Sequence, residues 1–263
     1  MENEEKDQVG VDHAVDGAAD LQVENVTFSY SGAGQLPVLS NISLAIPFGK
    51  TTAIVGMSGS GKTTLLKLLL KFYQPNSGSI KVGSLNLQDV SHRHWRRLCG
   101  VVMQEGFIFS DTIAGNIAVG EEDIDKKRLN DALKIANLTD YIKSLPLGHQ
   151  TMIGAEGNGL SQGQKQRILI ARAVYKDPSY LFFDEATNSL DANNERQIIE
   201  NMEEFFQNRT VVVVAHRLST VRNAHQIVVM EGGEIVERGT HDELTTQRGK
   251  YYELVKNQLE LDA

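Results

Sequence analysis

Apolar positions recur from Leu21 through Val23, Val26, Phe28 and Tyr30 with polar residues between them, the rhythm of a strand with one buried face. Residues 31–34 (Ser-Gly-Ala-Gly) read as a turn, and a second strand-like stretch covers Leu39–Ile46. Ser77 and Gly78 introduce a third stretch at 79–82, so the early region predicts a small antiparallel β layer. Further on, residues 53–55, 180–183 and 211–215 are unbroken apolar runs, as expected of strands buried on both faces. Helical spacing follows the first run at Leu65, Leu68, Leu69 and Phe72, and returns over 125–136, 161–175 and Ala192–Phe206. Another short strand is expected at 226–230. Strands alternating with helices predict an α/β fold with a mostly parallel sheet, and the strand-poor stretch 111–176 predicts an inserted α-helical subdomain. Residues 1–20 are polar and acidic and read as a linker or tail; 21–259 form the expected domain and 260–263 a short tail.

The first apolar run leads into Gly56-Met57-Ser58-Gly59-Ser60-Gly61-Lys62-Thr63. This fits G-x-x-x-x-G-K-S/T between a strand and a helix, the setting of a P-loop NTPase core. Glycines let successive backbone N–H groups curl around phosphate oxygens, the lysine reaches the β- and γ-phosphates, and the Thr63 hydroxyl can ligate Mg²⁺. The helix N-terminus adds favourable partial positive charge. The second run ends in Asp184-Glu185 and the third in His216. Ligands of open α/β sheets lie beyond the carboxyl ends of the strands, so parallel alignment brings Lys62, Asp184, Glu185 and His216 to one edge. There Asp184 suits holding Mg²⁺ directly or through water, Glu185 suits accepting a proton from the attacking water or polarising it, and the His216 imidazole suits donating to a phosphoryl oxygen or to Glu185. Leu160-Ser161-Gln162-Gly163-Gln164 opens a helix, with Ser161 and Gln164 spaced as a capping box. Gly163 gives close backbone access, so the same turn is equally an anion site, and spacing leaves both readings open.

Composition narrows the field. The hydrophobic fraction of 41% supports a substantial core, and the formal charge of −8 with no Lys/Arg block argues against a nucleic-acid partner. A single cysteine, Cys99, excludes an intrachain disulfide and fits a reducing compartment. No apolar run approaches the ~20 residues that cross a bilayer, and the acidic start does not have the form of a signal peptide. The expectation is a soluble, cytosol-type chain.

Residues 160–164 resemble the LSGGQ signature of the ATP-binding cassette (ABC) family, and the other motifs of that family follow in order. Tyr30 matches the aromatic residue that stacks on adenine, residues 56–63 Walker A, Gln104 the Q-loop, and residues 181–185 Walker B with the catalytic glutamate. Ser189-Leu190-Asp191 matches the D-loop and Val214-Ala215-His216-Arg217 the H-loop. The resemblance spans about residues 21–259, with one departure: Gln162 stands where glycine is usual. It implies ATP hydrolysis with Glu185, His216 and Lys62 as catalytic residues. ATP would be held by Tyr30, Gly56, Met57, Ser58, Gly59, Ser60, Gly61, Lys62, Thr63, Thr64, Gln104, Ser161, Gly163, Gln164 and Asp191, and Mg²⁺ by Thr63, Gln104 and Asp184.

The resemblance also implies two cassettes paired head to tail as a homodimer, driving a transmembrane domain expected on the same full-length polypeptide, at the cytoplasmic face of the cell membrane. Membrane contact would come only through that partner. Residues 104–117 (QEGFIFSDTIAGNI) are similar to the exporter pattern QEPxLFxGTIxxNI. Together with LSQGQKQR this looks most like bacterial peptide or bacteriocin exporters of the peptidase-containing group; lipid or drug exporters and importer subunits remain alternatives. A DNA-repair cassette would carry a long coiled-coil insertion after Walker A, where about a hundred residues of mixed pattern stand instead.

Overall fold

The computed structural model of this 263-residue chain describes residues 15, 18–31, 36–104, 106–154, 159–184, 192–215 and 221–261, with the backbone alone for 192–196 and 257–261. It divides into two compact units, residues 1–98 with 210–263, and residues 99–209.

The first unit opens with the expected antiparallel layer. Strand β1 (Leu21–Phe28) pairs with β2 (Leu39–Ile46) on one side. Alternation is interrupted between Val23 and Val26, where the register with β2 shifts and Asn25 takes φ 49°, so the skipped position in the sequence is a bulge. Strand β3 (Thr51–Val55) runs into the glycine loop and then helix α1 (Lys62–Leu69), which buries Leu65, Leu66, Leu68 and Leu69. Phe72, expected on that buried face, is instead exposed. The helix has ended by then, and Lys71 at φ 60° turns the chain out of the helical path. Strand β4 (Ser77–Val82) pairs with β1 on its other side and with the short β5 (Leu85–Asn86). Ser77 and Gly78 therefore belong to the strand rather than preceding it. A Cβ at Gly78 would collide with the carbonyl oxygens of Glu24 and Asn25, so the bulge admits only glycine opposite it. Helix α2 (His92–Leu98) buries Trp95, whose indole N–H donates to the Leu69 carbonyl at 2.9 Å and caps the end of α1.

In the second unit β6 (Cys99–Val102) lies parallel to a strand formed much later in the chain. The two-residue β7 (Asp111–Thr112) leads into α3 (Ile113–Ile117), followed by α4 (Lys126–Ile135) and α5 (Thr139–Ser144). Asp125 caps α4, accepting from the backbone N–H groups of Lys127 and Arg128, so the helix starts where the sequence predicts. The short β8 (Met152–Ile153) pairs with β7, α6 (Gln162–Tyr175) packs against α4, and β9 (Tyr180–Asp184) is the partner of β6. Every residue of β9 is buried, as its unbroken apolar run requires. Helix α7 (Ala192–Phe206) completes the unit.

The chain then returns to the first unit. Strands β10 (Thr210–Val214) and β11 (Gln226–Glu231) flank β3, both parallel to it, and β12 (Glu234–Gly239) adds antiparallel to β11. Helices α8 (His241–Gln247) and α9 (Lys250–Leu261) close the chain. The sheet is thus mixed. No helix among the described residues is long and apolar enough to cross a membrane.

Candidate nucleotide site

The glycine loop leaves β3 where the neighbouring strand β11 crowds it. Gly56 has φ 150°, and a Cβ there would collide with the Met230 carbonyl oxygen on β11. Among the described residues, Gly59, at φ 79°, has nothing within 4 Å of a would-be Cβ. The first glycine therefore seats the loop on the sheet, and the middle one faces open space that a phosphoryl group can enter. Lys62, only 6% exposed, donates from Nζ to the carbonyls of Gly56 (2.8 Å) and Met57 (2.9 Å). These bonds hold the ammonium against the loop rather than letting it wander in solvent. The Ser60 hydroxyl is buried and has no hydrogen-bond partner among the described residues. A buried hydroxyl without a protein partner, inside a loop of outward-facing glycine, fits a ligand rich in acceptor oxygens. Met57 stands exposed in the same loop, and Ser58 is exposed beside it.

Tyr30 follows β1 and is part-buried. Its hydroxyl lies 3.0 Å from Thr64 Oγ1 on the first turn of α1. Its ring meets Phe28 edge-on at 4.9 Å and Tyr73 edge-on at 5.2 Å. Tyr73, which sequence reasoning passed over, is the one new member of this group. Its signal is an aromatic pair (Phe72-Tyr73) placed immediately after a helix whose buried face is already complete.

Other residues expected at a nucleotide site lie in the second unit. Asp184 ends β9 and is 2% exposed; Gln104 follows β6 and is exposed. At the start of α6 both halves of the expected capping box form: Ser161 Oγ accepts from Gln164 N–H at 3.2 Å, and Gln164 Oε1 accepts from Ser161 N–H at 2.9 Å. Capping uses the hydroxyl only as an acceptor, so its proton can be donated elsewhere, and the capping and anion readings are compatible. Sequence reasoning also missed a polar network in this unit. Fully buried Asn116 accepts from Phe109 N–H (2.8 Å) and donates to the carbonyls of Phe109 (3.0 Å) and Thr112 (3.1 Å). Arg172 donates to the carbonyls of Asn116 (2.7 Å) and Phe107 (2.9 Å), tying the segment after Gln104 to α6. Glu185, Asp191 and His216 lie outside the described residues.

A strand–glycine loop–helix with a buried lysine on the loop carbonyls, in an α/β fold with an antiparallel layer, defines a P-loop nucleotide-binding protein. The sequence profile of the family described as "ABC transporter" matches residues 39–188, so the chain belongs to the ABC transporter family. It is that family's ATP-binding, ATP-hydrolysing domain. It is 44% identical over 242 residues to the ATP-dependent lipid A-core flippase of Syntrophus aciditrophicus (strain SB), covering 92% of this chain and 40% of that protein. It is 41% identical to multidrug resistance protein pgp-1 of Caenorhabditis elegans, covering 93% and 18%. Among solved structures, a bacterial Atm1-family ABC exporter with ATP bound is similar at a TM-score of 0.86 and 36% identity, over 92% of this chain and 42% of that one. The chain spans less than half the length of each of these proteins. They carry lipid-flippase and multidrug names, and give no support to the peptide and bacteriocin likeness expected from LSQGQKQR.

Proposed function

We propose that this chain is the motor of an ABC exporter, hydrolysing ATP to drive a transmembrane domain on the same polypeptide at the cytoplasmic face of a membrane. The observation that carries the reading is the loop of residues 56–63, with its open glycine and buried lysine. The lipid A-core flippases and multidrug relatives favour an amphiphilic lipid or drug-like cargo over a peptide. Two copies pair head to tail, each nucleotide lying between the glycine loop of one copy and Ser161 and Gly163 of the other, a two-fold arrangement with equivalent sites. ATP favours the closed pair and hydrolysis releases it, which is how chemical energy enters as a shift of population.

Within each site Glu185 acts as base toward the attacking water, His216 donates to the γ-phosphoryl group, Lys62 bridges the terminal phosphates, and Tyr30 stacks on adenine. Thr63, Gln104 and Asp184 offer a hydroxyl, an amide oxygen and a carboxylate, a hard-oxygen donor set suited to Mg²⁺. That ion supplies charge neutralisation to the phosphates when bound. Asp191 and Gln164 belong to the pairing face.

The test is Glu185→Gln. It keeps ATP affinity and forms an ATP-dependent dimer in size-exclusion chromatography, while phosphate release falls by about 10²- to 10⁴-fold, the usual contribution of a general base. Undiminished phosphate release removes Glu185 from the role. Absence of ATP binding in the unsubstituted chain removes the proposal as a whole.

A further inference from the structure

Tyr30 leaves the end of a strand, where a lone ring on an exposed chain segment samples several rotamers. Here three contacts restrain it. The Thr64 hydroxyl, on the first turn of the helix that follows the glycine loop, lies 3.0 Å from its phenol oxygen. Phe28 and Tyr73 meet its ring at interplanar angles of 83° and 88°, and they also touch each other, with centroids 5.5 Å apart. Phe28 is a core residue, 4% exposed, whereas Tyr73 is 42% exposed. Packing of the core therefore accounts for Phe28 but not for Tyr73. Tyr73 reaches this place because α1 stops at Leu69 and Lys71 turns the chain through a left-handed conformation, with Phe72 N–H returning to the Lys67 carbonyl at 2.9 Å.

We propose that Tyr73 is a positioning residue for the nucleobase: it braces Tyr30 edge-on so that the ring is already set in plane when the base arrives. This rests on the proposed function, since it presupposes that Tyr30 stacks on adenine. The physical reasoning is preorganisation. Edge-to-face aromatic pairs are directional, and a platform ordered before binding loses less freedom on binding. The link between Thr64 and Tyr30 makes the same platform continuous with the phosphate-loop helix, so base and phosphate are gripped from one rigid element.

The experiment separates base from phosphate. Affinities for ATP and for inorganic tripolyphosphate are measured by calorimetry for the unsubstituted chain, Tyr73→Leu, Tyr73→Phe, Tyr30→Leu and the Tyr30→Leu/Tyr73→Leu double variant. Tyr73→Leu weakens ATP by about 3- to 10-fold, the scale of one aromatic contact, and leaves tripolyphosphate unchanged. Tyr73→Phe keeps its ring and restores ATP affinity, and Tyr73→Leu adds nothing once Tyr30 is gone. Equal weakening of both ligands overturns the proposal by making Tyr73 merely structural, and so does ATP affinity equal to that of the unsubstituted chain. If the unsubstituted chain binds ATP no better than tripolyphosphate, base recognition itself is wrong and the proposal falls with it. If it binds neither, the nucleotide reading fails as well.

Discussion

Two glycines of one loop give opposite tests of what that loop is for. At Gly56, alanine takes on a backbone conformation that L-residues avoid, at φ 150°, and its Cβ meets the Met230 carbonyl on β11. The conformational strain costs about 1–3 kcal/mol, and displacing packed backbone adds about 1–3 kcal/mol more. At Gly59, φ 79° costs about 1–2 kcal/mol, and no described residue lies within 4 Å to be moved. With about 2–4 °C of melting temperature per kcal/mol in a domain of this size, Gly56→Ala melts several degrees to about 20 °C lower, and Gly59→Ala only about 2–8 °C lower. ATP affinity, measured below both melting temperatures, reverses the emphasis: Gly59→Ala weakens it although the protein remains well folded, because its methyl group stands in the space a phosphoryl group needs. The assay is calorimetric melting without nucleotide, paired with nucleotide titration at 15 °C. A Gly59→Ala protein with full ATP affinity refutes the assignment of that open space, and a Gly56→Ala protein as stable as Gly59→Ala refutes the packing argument.

Three further outcomes follow from particular contacts. Trp95→Phe removes the donor to the Leu69 carbonyl and destabilises by about 1–3 kcal/mol, read as a lower urea midpoint by circular dichroism; an unchanged midpoint contradicts the capping role. Ser161→Ala loses the α6 cap and about 0.5–2 kcal/mol, whereas Ser161→Gly loses only a few tenths. Both abolish ATP-driven pairing, and a Ser161→Gly chain that still pairs assigns the hydroxyl to capping alone. Burial pushes the Cys99 thiol well above its ordinary value, so the native chain resists iodoacetamide at pH 8 and labels only when unfolded. Because the folded state keeps this proton longer, Cys99's contribution to stability is complete below the unfolded thiol value of about 8.5 and declines as pH rises above it. Cys99→Ala flattens that decline, measured as the urea midpoint between pH 7 and 10.

Much of the architecture was legible because its strands and helices obey one clear period. The unbroken apolar runs at 180–183 and 211–215 became fully buried strands, apolar spacing marked α4 to within a residue, and spacing with the capping box marked α6 equally well. The stretch from Leu21 to Tyr30 reads as plain alternation, whereas the structure has a bulge at the skipped beat between Val23 and Val26. What was not legible depends on contacts far apart in sequence. Strand β12 has no fully buried position and carries Glu234, Glu237 and Arg238, so its pattern shows no apolar face although β11 pairs with it. Helix α2 buries only Trp95 among basic residues, too little for a periodic signal. Phe72 continued the leucine spacing of α1, and nothing in the local composition marks Lys71 as the left-handed residue that ends it. Asn116 stands in the sequence only as part of the 104–117 pattern, and its role shows once Arg172 and the Phe109 backbone are seen around it. At the site, the glycine loop, Tyr30, Thr64 and Ser161 were named from sequence, whereas Tyr73 needed the fold to bring it beside Tyr30.

The central claim is that residues 56–63 grip the triphosphate through Lys62. Titrating a fluorescent ATP analogue into the chain and into Lys62→Ala tests it most directly. The account predicts saturable binding to the first and a loss of about 10- to 100-fold in the second, the scale of a charge-assisted contact to phosphate. A Lys62→Ala chain that binds as tightly as the unsubstituted one, with its melting temperature preserved, contradicts the account.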